Sequence, residues 1–150
     1  MPELELRSDA FEDHAPIPAE HSHAAGDVPP PLEWSNAPEE AAELVLLCED
    51  PDAPVGTFAH WRPAGIPPRT RGLRAGESPA EAVQGRNDYG RTGYGGPHPP
   101  VGDEPHRCLF RPVAPSEPSG LRPGLTADEC RKAIEGKAIG TGTLVGTFGR

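Results

Sequence analysis

A chain of 150 residues with a net charge of −9 has no basic stripe with which to displace counterions from nucleic acid or to dock on an anionic membrane surface. Its 18 glycines and 21 prolines make it loop-rich, but several apolar runs and the absence of repeats point to a folded protein, read as one domain over residues 1–150. From the acidic start and the shortness of the longest apolar run, Leu44 to Cys48, neither a signal peptide nor a membrane span is expected, and a cytoplasmic protein is the expectation.

Glu3-Leu4-Glu5-Leu6-Arg7 alternates polar and apolar residues, the period of a strand with one wet face. The segment up to Pro31 is broken by Pro16, Pro18, Gly26 and Pro29 and carries His14, His21 and His23. No cysteine or carboxylate sits at metal-ligand spacing, so it reads as a solvated loop and no metal is expected. Trp34 is expected in the core. Leu44-Val45-Leu46-Leu47-Cys48 is a continuous apolar run, which suits a strand covered on both faces. It runs straight into Asp50-Pro51-Asp52-Ala53-Pro54, and carboxylates at the exit of a buried strand, with prolines fixing the turn, are placed to line a cleft. Phe58, His60 and Trp61 follow.

Ser78-Pro79-Ala80-Glu81 has the marks of a helix start. A better helix begins at Thr126, where Thr126 and Glu129 form a capping box, Leu125 and Cys130 a hydrophobic staple, and Gly136 the stop. Thr143 to Phe148 reads as a last strand. Cys48, Cys108 and Cys130 are odd in number and widely spaced, so neither a disulfide framework nor a zinc knuckle is indicated. Cys48 and Cys130 read as core residues, and no cofactor is expected.

Between these elements, residues 85–107 pack six glycines and four prolines with Arg86, Arg91, His98, His106 and Arg107. Such a stretch is neither helix nor central strand; it reads as a kinked loop whose backbone N–H groups approach an anion closely, with arginines beside them.

Asp50-Pro51-Asp52-Ala53-Pro54, His60-Trp61, Arg86-Asn87-Asp88-Tyr89-Gly90-Arg91-Thr92-Gly93-Tyr94-Gly95-Gly96-Pro97 and His106-Arg107, in this order and spacing, resemble the phosphatidylethanolamine-binding protein family in its bacterial YbhB/YbcL-like, or Raf kinase inhibitor-like, branch. The resemblance implies a mainly β (α+β) fold, with two packed sheets of mostly antiparallel strands and a few short helices. It implies a small anion pocket with Asp50, His60 and His106 as its polar residues, Phe58 as an aromatic wall, and Gly95, Gly96 and Pro97 in the loop that closes one side. Asp52 joins Asp50 as a candidate ligand-binding carboxylate. Cys108 stands where an aromatic residue is usual, Arg62-Pro63-Ala64-Gly65 replaces an apolar strand-like run, and Pro112 and Pro115 interrupt a further stretch expected to be strand.

Three functions follow as expectations. The first is a non-enzymatic binding module for a small phosphorylated or carboxylated ligand, with both imidazoles donating to the anion. The second is an inhibitor of a kinase or protease partner that acts through its loops. The third is a phosphoester hydrolase, disfavoured because no nucleophile lies near the motifs. The family resemblance also implies a homodimer.

Overall fold

The computed structural model describes residues 3–54, 56–78 and 82–150. In chain order the strands are β1 (Glu5–Arg7), β2 (Ala15–Pro16), β3 (Leu32–Ser35), β4 (Val45–Asp50), β5 (Phe58–Trp61), β6 (Pro63–Ala64), β7 (Gly72–Leu73), β8 (Val83–Gln84), β9 (His106–Pro115), β10 (Ala138–Thr141) and β11 (Leu144–Phe148). One helical turn spans Ala19–His21, and the helix α1 spans Ala127–Ile134. The larger sheet has the order β2-β11-β9-β4-β5, with β10 also on β9. A three-stranded sheet has the order β1-β3-β7, and β6 pairs with β8. Among these strands the pairings are antiparallel except β2 with β11. Two packed sheets with little helix are what the sequence led one to expect.

The larger sheet is covered on both faces, which is why β4 is apolar from Val45 to Cys48. Leu46 and Cys48 face a core shared with Leu6, Leu32 and Trp34 of the smaller sheet and with Trp61 and Phe110. Val45 and Leu47 face a second, smaller core closed by Leu125 and Cys130 beside α1. The Trp34 Nε1 donates to the Thr70 carbonyl, so its one polar group is satisfied on burial. The helix begins as its sequence specifies. Thr126 accepts from the Glu129 N–H, and the Glu129 carboxylate accepts from the Thr126 N–H. Gly136, at φ 75°, takes the left-handed turn that ends it. All three thiols are buried and free.

The structure departs from expectation at three places. First, β9 runs unbroken through Pro112. The Pro112 carbonyl accepts from the Gly142 N–H at 3.2 Å, so the edge of this residue that lacks an N–H faces the turn between β10 and β11, and no rung to β4 is lost. Pro115 ends the strand, its carbonyl accepting from the Ala42 N–H. Second, the segment holding His21 is not a solvated loop. His21 is 1% exposed and its Nδ1 donates to the Val28 carbonyl at 2.8 Å, because the helical turn folds the ring inward. Third, the amides of the glycine-rich loop are engaged within the protein. Gly95 N–H donates to the His60 carbonyl, Gly96 N–H to Asp27 Oδ1 and Gly93 N–H to the Gly85 carbonyl, so these three amides are not bare. The expected helix start at Ser78-Pro79-Ala80-Glu81 lies outside the described residues beyond Ser78.

Candidate functional site

A cavity of about 290 Å³ opens where β4, β5 and β9 deliver their polar ends. Its walls are Asp50, Ala53, Pro54, Phe58, His60, Tyr89, His98, Pro99, Pro100 and His106. Four of the candidate residues, Asp50, Phe58, His60 and His106, meet there. They come from separate strands brought into line by the β4–β5 and β4–β9 ladders, in which Asp50 lies opposite Phe58 and Glu49 opposite Leu109.

The other four do not line the cavity. Asp52 is held by Arg107, whose guanidinium donates to it at 2.8 and 3.0 Å and whose N–H donates at 3.0 Å. Those hydrogen bonds, which outweigh the opposing effect of burial, bring the Asp52 carboxyl down to about 2. Gly95, Gly96 and Pro97 stand behind the wall. A Cβ on Gly95 would collide with the Tyr89 ring, and one on Gly96 with the His21 carbonyl, so both positions need glycine for close approach. The Gly96 carbonyl accepts from the Tyr89 hydroxyl at 2.6 Å, and the Pro97 carbonyl from the His23 N–H at 3.0 Å. The loop thus fixes Tyr89, which meets Phe58 edge-on at 4.8 Å and stacks on His23 at 4.1 Å. Asn87 anchors the loop from inside. It is buried, accepts from the Tyr89 and Arg91 N–H groups, and donates to the Gly93 carbonyl.

The two histidines carry opposite electrostatics. The His60 Nδ1 donates to the Gly95 carbonyl at 2.6 Å, which assigns the proton of the neutral ring to Nδ1 and leaves Nε2 as an acceptor. That Nε2 is buried and has no partner among the described residues. Burial pushes the His60 pKa down, against the raising effects of the Gly95 carbonyl and Asp50. His106 lies between two carboxylates, with Nδ1 2.7 Å from Asp50 Oδ2 and Nε2 3.2 Å from Asp103 Oδ2. Burial favours loss of its proton, but the hydrogen bonds and charges of Asp50 and Asp103 prevail and its pKa is raised. The expectation of two imidazole donors is therefore altered: His60 offers an acceptor, and both His106 nitrogens already lie against carboxylates of the protein.

Asp103 and Tyr89 carry much of this arrangement and were not among the candidates. Tyr89 lay within a quoted motif, whereas Asp103 sits in a Gly-Pro turn with no local signal of its role. At the rim, His98 lies edge-on to His23 at 5.3 Å, and burial together with the charges of Arg150 and His23 lowers its pKa. No group of three or more His, Cys, Asp or Glu among the described residues is arranged to hold a metal.

The family model described as phosphatidylethanolamine-binding protein matches residues 7–149. A UPF0098 protein of Methanothermobacter thermautotrophicus is 39% identical over 152 residues and spans 98% of this chain and 99% of its own length. A Mycobacterium tuberculosis relative, 42% identical over 97% of this chain and 72% of its own, carries a lipoprotein name, LppC, so the expected cytoplasmic location does not follow for this chain. What holds is that no helix among the described residues is long and apolar enough to cross a membrane. Among solved structures, the phosphatidylethanolamine-binding protein homologue of Chlamydia trachomatis superposes with a TM-score of 0.91 at 35% identity, over 99% of this chain and 98% of that one. YbcL of E. coli superposes with a TM-score of 0.92 at 25% identity, over 98% of each chain. None of these four is named as an enzyme. With its motifs, its two packed sheets and a match over nearly its whole length, the chain belongs to the phosphatidylethanolamine-binding protein family.

Proposed function

We propose that the chain is a non-enzymatic binding protein for a small phosphoryl or carboxyl anion, held in the cavity between Phe58 and His106. The observation that carries this reading is the pairing in one cavity of a buried acceptor without a partner among the described residues, His60 Nε2, with His106, whose pKa two carboxylates raise. Such a pair is complementary to an oxyanion that keeps a proton. The ligand O–H donates to His60, and a ligand oxygen accepts from His106 Nε2 once Asp103 turns outward. The Asp103 side chain is 43% exposed and free to do so. A dianion would instead draw a proton onto His60, since a nearby negative charge raises an imidazole pKa. The cavity is at the small end of ligand sites, which suits a head group or metabolite. Hydrolysis has no support: the described wall holds no Ser, Thr or Cys, and burial pushes the nearby Cys108 thiol up to about 12.

Calorimetric titration with phosphate, phosphoethanolamine, acetate and citrate tests this. A ligand at one hundred times its dissociation constant stabilises by about 2.7 kcal/mol, and that gain is expected to vanish in His60→Ala/His106→Ala. If no anion binds the wild type, the reading fails unless Asp103 is the obstacle.

That proviso gives the second reading its own observation. A carboxylate of the chain already sits on His106 Nε2, as a bound anion would, which suits an inhibitor of a kinase or protease whose pocket is vestigial. Asp103→Ala separates the two. Tighter phosphate binding, by roughly tenfold for 1.4 kcal/mol of lost competition, supports the binding module. If Asp103→Ala is as inert as the wild type, the partner-inhibitor reading takes its place.

A further inference from the structure

The cavity leaves one buried charge unexplained. Arg62 follows β5 directly and is 5% exposed, packed at the edge of the second core. Its Nη1 donates to the Arg86 carbonyl at 2.5 Å, and no carboxylate among the described residues lies within ion-pair distance of it. A guanidinium does not shed its proton on burial as an imidazole does, and charges taken out of water are ordinarily paired. Among the described residues the Arg62 guanidinium has one acceptor for its five N–H donors.

Two hollows meet at this side chain. One, of about 360 Å³, lies between α1 and the outer face of the larger sheet, and its walls include Leu47, Glu49, Arg111, Cys130 and Arg131. The other, of about 240 Å³, is lined by Arg86, Asn87, Asp88 and Ala127. Both also include Arg62, and in both the guanidiniums outnumber the carboxylates, in a chain whose net charge is −9. The carboxylates are already engaged. Asp128 pairs with Arg131 and Lys132, and Asp88 Oδ2 accepts from the Ala59 N–H. Glu49 meets Arg111 only at 3.5 Å, and the buried Nε of Arg111 has no partner. Arg62, with no carboxylate at ion-pair distance among the described residues, and Arg111 thus line the same hollow.

We propose that Arg62 and Arg111 form a second anion site, separate from the cavity of Asp50, His60 and His106, that takes inorganic phosphate or a phosphomonoester between α1 and the sheet. Planar guanidiniums match the oxygens of a phosphate by paired N–H donation, and a low-dielectric pocket strengthens the contact. The site does not depend on the function proposed above: its residues, its walls and its opening are different.

The test is a phosphate titration of the full chain followed by NMR, reading the arginine Nε–H signals and the backbone amides against chloride at equal ionic strength. Saturable shifts are expected at Arg62 Nε–H, Arg111 Nε–H and the Ala127 amide. They are expected to persist in His60→Ala/His106→Ala and to disappear in Arg62→Met. Because methionine suits the apolar surroundings of Leu47 and Cys130, Arg62→Met is expected to melt no lower than the wild type in phosphate-free buffer. Arg111→Met, at a half-exposed position, is expected to weaken the same shifts at least fivefold. Absence of saturable shifts at these signals in the wild type overturns the proposal, as does their survival in Arg62→Met. Shifts confined to His60 and His106 also overturn it while upholding the first site.

Discussion

Two residues apart in sequence, His60 and Arg62 enter different regions of the molecule and meet burial in opposite ways. In the cavity, burial favours the neutral form of His60, which keeps a lone pair, while His106, whose pKa is raised, is held between two carboxylates. On the far face of the sheet, Arg62 has no such option and stays charged beside two hollows. Glu43 shows a third solution in the same part of the fold. Buried, it accepts from the Gly65 N–H at 2.7 Å, the Ser119 N–H at 2.6 Å and the Ser119 hydroxyl at 2.9 Å. The contrast teaches that burial of a charge is not itself the signal of a site; burial with few partners is.

The largest effect expected on this contrast is at Glu43. Glu43→Ala removes the acceptor from three inward-facing donors and is expected to destabilise the fold by about 3 kcal/mol, measured by urea denaturation, whereas Arg62→Met loses nothing. Equal losses in the two variants would erase the distinction drawn between a charge held by three hydrogen bonds and one held by a single bond.

Next comes the His106 pairing. Asp50→Asn is expected to cost about 2 kcal/mol, the range for a hydrogen bond to a charged group. The sign of the pH dependence follows from a folded pKa raised above 6.5. The stabilisation is fully present below that value and is lost as pH rises through the folded one. Denaturation midpoints across about pH 5 to 8 should therefore show a pH-dependent component that flattens in Asp50→Asn. An NMR titration in which His106 has an ordinary pKa in the wild type would refute the pairing. The smallest effect is at the roof of the far hollow. Thr126→Ala removes the cap of α1 and is expected to cost about 1 kcal/mol, seen as a lower melting temperature. No loss there would mean that α1 is held by the packing of Cys130 in the second core rather than by its cap.

How much of this the chain displayed in advance depended on the range of the interactions. The α1 boundaries were readable to the residue, because capping box, staple and stop are set by neighbours within one or two turns. β4 announced itself by an apolar run that only a doubly covered strand explains. The meeting of Asp50, Phe58, His60 and His106 came through motif resemblance rather than through any local pattern, since register between β4, β5 and β9 decides it. Asp103 on His106, Glu43 on Ser119 and the inward turn of His21 were invisible. Each joins a side chain to a group whose position only the tertiary fold sets, with no periodicity to betray it. The prolines of β9 misled for a related reason, since whether a missing N–H matters depends on which edge of the strand it faces.

The three buried thiols make the protein its own clock. Cys48 and Cys108 lie in the middle of the larger sheet, while Cys130 lies beneath one short helix. Burial raises the pKa of all three, that of Cys130 to about 11, so neither access nor thiolate is available to an alkylating reagent while the fold is closed. Labelling of Cys130 ahead of the other two would time the lifting of α1, and labelling of the sheet pair the opening of the whole molecule. The two kinds of opening are thus separable in one tube, with no probe added to the chain.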